Sequence, residues 1–337
     1  MIRAAATESD VRSRISRLYP VEVLKIKQLE GYDDLNFFLE CRSEDDGATY
    51  KYVCKVVNSQ DSQKHEIVES QNRLMEYLGK KGIPVPEPVP NNWLQYFSLE
   101  TFGTTKHLIR LLTYLDGSKL NDFSPSTELY FNVGDFTGRL YSALKGYKDD
   151  ELIKKKSTWM LESVPDVHQL LTSVSTPELR EYARLAVKDF EDKVIPVIPE
   201  LEKGIMHGDI NEHNILVRDN SVMGLIDFGD NCWGPVLFEI ALCVAYMCLH
   251  SNDISTGKHV LAGYQIHRPL TTVESKIIKS CVCARLAQSL VLGCHAAMED
   301  QGNAYILSSQ KNGWPVLTKL LVMDDTQIID TWGLTCE

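Results

Sequence analysis

Near residue 118 the spacing of apolar side chains changes. Before it, apolar and polar residues alternate with the period of a strand. After it they recur at helical spacing, apart from one interruption at residues 205–230. A chain divided this way predicts an α+β molecule of two lobes, residues 1–115 small and mostly β with one helix, residues 116–337 large and mostly α. With 337 residues, there is chain enough for a sizeable core in the larger part.

Local signals fill in this division. Val21 to Gln28 alternates as a strand, and Glu30-Gly31-Tyr32-Asp33-Asp34 reads as a turn. Phe37 to Cys41 is a second strand, closed by a Glu44–Gly47 hairpin, and Tyr50 to Val57 is a third. A helix follows, with Ser62 as its expected cap and Ile67, Leu74, Met75 and Leu78 on one face. Gly82 and the proline-rich Pro84–Pro90 run end it as an extended connector, and strands are expected near Gln95–Thr101 and His107–Tyr114. Beyond Gly117, helices are expected over Thr127–Leu144, Pro177–Val197, Phe238–His250 and Val273–Met298, with two short strands inside 205–230.

Charge and cysteine usage narrow the function classes. The formal net charge of −11 disfavours nucleic acid and anionic membrane as partners and tolerates a cationic ligand. Nine cysteines include no C-x-x-C pair, so zinc and dithiol redox motifs are unsupported and a reducing compartment fits. The N-terminus has no apolar core of signal-peptide length, and the expected address is cytoplasmic.

The interruption carries the chemistry. His207-Gly208-Asp209-Ile210-Asn211-Glu212-His213-Asn214 leads into an apolar strand, and Ile226-Asp227-Phe228-Gly229-Asp230 follows the next one. An Asp, an Asn five residues later and a second Asp at the neighbouring strand end bring three hard oxygen donors together. Phosphoryl transfer needs such a set, one carboxylate for the attacking hydroxyl and oxygen ligands for magnesium. Singly, each residue is as well read as part of a polar turn; the joint spacing argues otherwise.

These two stretches resemble the aminoglycoside phosphotransferase family, small-molecule relatives of protein kinases. The resemblance implies a two-lobed protein-kinase-like fold, a nucleotide-binding N-terminal lobe and a catalytic and substrate-binding C-terminal lobe. It implies Asp209 as catalytic base, Asn214 and Asp227 as ligands of Mg2+, and GTP or ATP as phosphoryl donor. His207 and Glu239 are expected to brace the loop. Lys55, among apolar residues on the third strand, is expected to grip the α- and β-phosphates. The helix glutamate that usually pairs with such a lysine is absent: its place falls on Gln71. Either Glu69 serves after a rotation of the helix, or Gln71 substitutes a hydrogen bond; Glu69 is the preferred reading. The phosphate-covering turn offers the single glycine Gly31, with Asp33 and Asp34 expected to face solvent. The backbones of Thr113 and Leu115 are expected to face the base.

Asn211-Glu212-His213-Asn214 resembles the family members that phosphorylate the 5-hydroxyl of 5-hydroxy-L-lysine with GTP. Such a substrate carries two ammonium groups and one carboxylate, so acids are needed near Asp209. Glu212 and Asp230 are the candidates for the amines, and His213 contacts substrate or braces the loop. Glu299 and Asp300 are looser candidates, and Trp233 is read as packing. Two alternatives stay open: a kinase for another small hydroxyl compound such as homoserine, choline, ethanolamine or a sugar, and a nucleotide-binding module without catalysis.

Overall fold

A computed structural model describes residues 3–31, 33–299, 307 and 309–335. The chain forms two compact units, Met1–Asp116 and Gly117–Glu337.

The first unit opens with helix α1 (Glu8–Leu18), which the strand-dominated pattern did not predict. Its signal was present in the sequence. Thr7 accepts from the Asp10 amide while the Asp10 carboxylate accepts from the Thr7 amide, a reciprocal cap, and Val11, Ile15 and Leu18 are buried on one face. Strands β1 (Val21–Leu29), β2 (Leu35–Ser43) and β3 (Thr49–Val56) form an antiparallel meander. Helix α2 (His65–Lys80) and the edge strand β4 (Pro88–Val89) follow, then β5 (Ser98–Phe102) and β6 (Thr105–Thr113). β6 lies beside β3, with Cys54 opposite Leu111 and Lys55 opposite Arg110. Alternation then sorts the faces: Cys54 and Leu111 join Phe37, Leu39, Val11 and Ile15 in the core, and Lys55 and Arg110 share the other face. Burying each such apolar side chain contributes about 1.5–3 kcal/mol.

Ser62 does not cap α2. It lies in a 3-10 turn (Asp61–Gln63), where its hydroxyl donates to Val57 O and accepts from the Leu108 amide, stitching the end of β3 to β6. The proline-rich connector is extended as expected, and it also contributes β4, at a sheet edge where missing N–H donors cost nothing.

In the second unit β7 (Ser118–Lys119) is followed by α3 (Thr127–Leu144), α4 (Asp150–Lys154), a 3-10 segment (Leu161–Ser173) and α5 (Pro177–Lys193). α5 ends before the expected Val197, because Pro196 and Pro199 force Ile195–Glu200 into 3-10 turns. Four short strands come next: β8 (Lys203–Met206), β9 (Ile215–Arg218), β10 (Ser221–Leu225) and β11 (Cys232–Pro235). They pair as β10-β9-β7 and β11-β8. The rest is α6 (Leu237–Ser251), α7 (Thr256–Tyr264), α8 (Thr272–Glu299), α9 (Gln310–Val322) and α10 (Asp325–Trp332).

α3 and α7 cross at contact distance because glycines face each other there. A methyl group on Gly134 would lie 1.9 Å from Val260 O, and one on Gly263 would lie 2.1 Å from Phe131 O. α8 is long and apolar enough over Thr272–Met298 to cross a membrane by length and composition. However, 78% of its most apolar window is buried inside the protein, and it carries the buried polar residues Arg285 and Gln288. It is a core helix of this unit. The eight described cysteines are all free.

Candidate active site

The site in the second unit is built on the loop joining β8 to β9. The β8 strand pairs with β11, Met206 opposite Cys232, and delivers the chain to His207. There the buried Glu239 carboxylate of α6 receives two backbone amides, from His207 to Oε2 and from Gly208 to Oε1. His207 is buried; its Nε2 faces Ile226 O at 3.1 Å and its Nδ1 accepts the Asp209 amide at 3.3 Å. This pairing requires a neutral ring with the proton on Nε2, and burial agrees, lowering the ring to about 4. The Phe228 ring stands edge-on to it at 4.8 Å. Gly208 has φ +82°, and a Cβ there would lie 2.4 Å from Asp230 O. Only glycine lets the loop lie this close to the strand end. His207 and Glu239 therefore brace the loop.

The loop then turns on Asn211, whose Oδ1 accepts the amides of His213 and Asn214. The turn points Asn214 back at Asp209: its Nδ2 donates to Asp209 O at 3.0 Å and to Asp209 Oδ2 at 2.7 Å. The Ile226 amide donates to Asn214 O, which sets Asp227 beside Asn214 across β9 and β10. Asp227 is exposed and has φ +64°, a conformation that costs a non-glycine residue about 1–2 kcal/mol and is held here by the surrounding bonds. Gly229 N donates to Asp227 Oδ1. The structure thus brings Asp209, Asn214 and Asp227 together.

These groups suit magnesium. With its Nδ2 turned to Asp209, Asn214 keeps Oδ1 as a ligand atom, and Asp227 offers an exposed carboxylate. Among the described residues no group of three or more His, Cys, Asp and Glu side chains converges to hold a metal. Two protein oxygens match an ion that completes its shell with water and phosphate.

Sequence reasoning missed the cation beside Asp209. Arg285 of α8 is buried, and its Nη2 reaches Asp209 Oδ1 at 3.3 Å. Burial and the Asp230 carboxylate push Asp209 up, to about 7, against the pull of Arg285. Lys155, also missed, donates to Gly229 O and Asn231 O and ties down the 229–231 backbone. The available signal for Arg285 was a single arginine within the apolar stretch between Lys279 and Glu299, since such a residue is seldom fully buried unless paired.

Of the candidate substrate contacts, Glu212 is the most distinctive. It is buried and is pushed up to about 7, chiefly by that burial. Its Oε1 lies 3.7 Å from His213 Nε2, while Oε2 is buried with no hydrogen-bond partner among the described residues. Asp230 lies close enough to Asp209 to raise it, and its carbonyl forms the floor beneath Gly208. Asp300 lies outside the described residues, as does the side chain of Glu299.

In the first unit, Lys55 is nearly buried and pairs with Asp34 at 3.2 Å. Asp34 does not face solvent as expected: it also accepts Asn58 N and Nδ2, so the β1–β2 turn is tied to the end of β3. Asp33 is exposed. Glu69, expected beside Lys55, lies on the exposed side of α2. The helical face that meets the sheet carries Gln71 and Asn72, which accept from Arg110 Nη2 at 2.9 Å and Nη1 at 3.1 Å. Gly31 fits under the turn, where a Cβ would come 2.7 Å from Asp34 O. The Thr113 amide donates to Glu87 O and the Tyr114 amide to Lys51 O, so Leu115 carries the next amide along the hinge.

The chain is similar to known proteins. A family model described as the phosphotransferase enzyme family matches residues 25–270. Hydroxylysine kinase of Xenopus laevis is 32% identical, over 99% of this chain and 95% of its own length. Hydroxylysine kinase of Mus musculus is 29% identical, over 98% and 93%. Among solved structures, amicoumacin kinase hAmiN in complex with AMP-PNP, Ca2+ and Ami superposes with a TM-score of 0.71 at 16% identity, covering 96% of this chain and 97% of that one. The fold is therefore kinase-like, a mostly-β unit followed by a helical one. The chain belongs to the phosphotransferase enzyme family, as a small-molecule kinase whose acceptor is a hydroxyl group.

Proposed function

We propose that the acceptor is 5-hydroxy-L-lysine, phosphorylated on its 5-hydroxyl, and that the donor is GTP, with ATP as the alternative. The near full-length similarity to hydroxylysine kinases supports this, but the observation that carries it is Glu212. A buried carboxylate oxygen without a partner, three residues from Asp209, is costly unless a cation completes it, and the amines of this substrate supply one. Asp230 is the second amine contact and His213 orients Glu212.

In this reading Asp209 is the base. Asn214 and Arg285 each hold one of its oxygens, which leaves lone pairs to align the acceptor hydroxyl and take its proton as the oxygen–phosphorus bond forms and the bond to the β-phosphate oxygen breaks. Asn214 and Asp227 would hold magnesium, which supplies neutralisation of the phosphate charge. Lys55 exchanges Asp34 for the α- and β-phosphates, Gly31 lets the turn approach them closely, and the backbones of Thr113 and Leu115 face the base. Glu69, exposed on α2, has no part in holding Lys55. Positioning and electrostatics supply most of the acceleration.

Radiolabelled GTP and ATP, offered with 5-hydroxy-L-lysine and with lysine as control, test the reading. Transfer to hydroxylysine alone is expected. Transfer to homoserine or ethanolamine in preference to hydroxylysine would replace the acceptor and leave the rest standing. Asp209→Asn is expected to lower turnover by about 1,000-fold while nucleotide still binds.

A further inference from the structure

We infer that Arg285 is the positioning residue for the Asp209 carboxylate, holding one of its oxygens from a distant helix while Asn214 holds the other, so that the plane of the carboxylate is set before substrate arrives. This rests on Asp209 as the base and adds a residue that neither the loop motif nor its spacing points to.

The guanidinium is fully buried, and its donors are spread over four separate parts of the unit. Nε donates to Tyr246 Oη on α6, Nη1 to Trp159 O and to Gln288 Oε1, and Nη2 to Asp209 Oδ1. Because the fork is planar and rigid, it cannot turn away from Asp209 without breaking several of these bonds at once. Trp159 and Tyr246 flank it with ring centroids at 5.3 and 5.4 Å, excluding water. Gln288, one turn further along α8, donates to Thr158 O and Met160 O, so the segment under the guanidinium is itself fixed to the helix. Among the described residues Asp209 is the one carboxylate that accepts a hydrogen bond from Arg285; the other three acceptors are neutral oxygens. A guanidinium buried only to join α6 to α8 would have no need to reach into the catalytic loop. A buried charge is retained only where it is paired, and here the pair is made with the base itself.

The test is a double-mutant cycle in the full chain: Arg285→Gln, Arg285→Lys, Asp209→Asn and the double variants. Steady-state transfer from Mg·GTP is read with whichever of hydroxylysine, homoserine and ethanolamine the wild type uses. If it uses none of them, phosphate release to water carries the same comparisons. Both Arg285 variants are expected to lose about 100-fold in kcat, with KM for nucleotide and acceptor within about twofold of wild type. In the Asp209→Asn background the further loss is expected to be under about threefold, since the two groups act as a unit. Arg285→Ala is expected to regain activity with added guanidinium and not with sodium at equal ionic strength. Unchanged kcat, a rise in acceptor KM alone, or fully additive losses would each overturn the inference; the second would make Arg285 a receptor for a substrate carboxylate. Should the Arg285 variants fail to fold, Tyr246→Phe and Gln288→Met each withdraw one contact from the guanidinium, and each is expected to lose about tenfold in kcat alone; wild-type kcat in both would overturn it equally. Wild-type turnover by Asp209→Asn would instead sink the base assignment, a result distinct from an inactive Asp209→Asn beside a fully active Arg285→Gln.

Discussion

At the scale of single residues the catalytic loop is held by contacts that tolerate little change. Gly208 is the sharpest case. Alanine there would have to adopt φ +82° with its Cβ 2.4 Å from the Asp230 carbonyl, so the loop must move. Gly208→Ala is expected to cost about 2–4 kcal/mol of stability and about 100-fold in turnover, measured by denaturant unfolding and steady-state kinetics. His207 gives the loop a pH dependence of known sign. Burial lowers its folded pKa to about 4, below the 6.5 of an exposed ring. Its contribution is therefore complete above about pH 6.5 and is lost as pH falls towards 4. His207→Gln is expected to be less stable than wild type near neutral pH, yet to lose less stability across that acid window in chemical denaturation. An unchanged slope would mean that His207 does not titrate on unfolding.

At the scale of elements, α3 and α7 cross where two glycines remove the side chains between them. Gly134→Ala is expected to destabilise by about 3 kcal/mol or more, because backbone and not a flexible side chain fills the space. Gly79→Ala, on α2 with nothing within 4 Å of the added Cβ, is expected to be neutral or about 0.5 kcal/mol more stable, and a thermal melt separates the two. Elements with a strong local period were legible in the sequence: β1 to β3, α2, α3 and α6 fall where alternation or helical spacing put them. α1 was missed because the strand pattern around it was read as covering the whole segment, although Thr7 and Asp10 carried a capping signal. The Lys55 surroundings were only half legible. Spacing along α2 placed Gln71 on the sheet-facing side, but the partner there is Arg110, from a strand about 40 residues downstream, and no local rule links the two. The partner of Arg285 was unreadable for the same reason: its bond to Asp209 spans 76 residues of chain.

At the scale of the whole molecule, the two units divide the proposed work: Lys55 in the first for phosphates, Asp209, Asn214 and Asp227 in the second for base and metal. A ligand bound only by the folded protein raises its stability, by about 2.7 kcal/mol at a hundredfold excess over Kd. Mg·GTP is accordingly expected to raise the melting temperature, EDTA to remove most of that gain, and Asp227→Asn to remove the magnesium-dependent part; a shift indifferent to EDTA would count against Asn214 and Asp227 as ligands. One arrangement in the first unit concerns the seating of α2. Arg110 is buried and grips α2 through the uncharged amides of Gln71 and Asn72, while Lys55 finds its counter-charge in Asp34 on a turn. One grip on the helix is thus made by a strand residue other than the lysine proposed for the phosphates. Exchanging either amide for a carboxylate would therefore turn a neutral contact of α2 into a buried ion pair with Arg110.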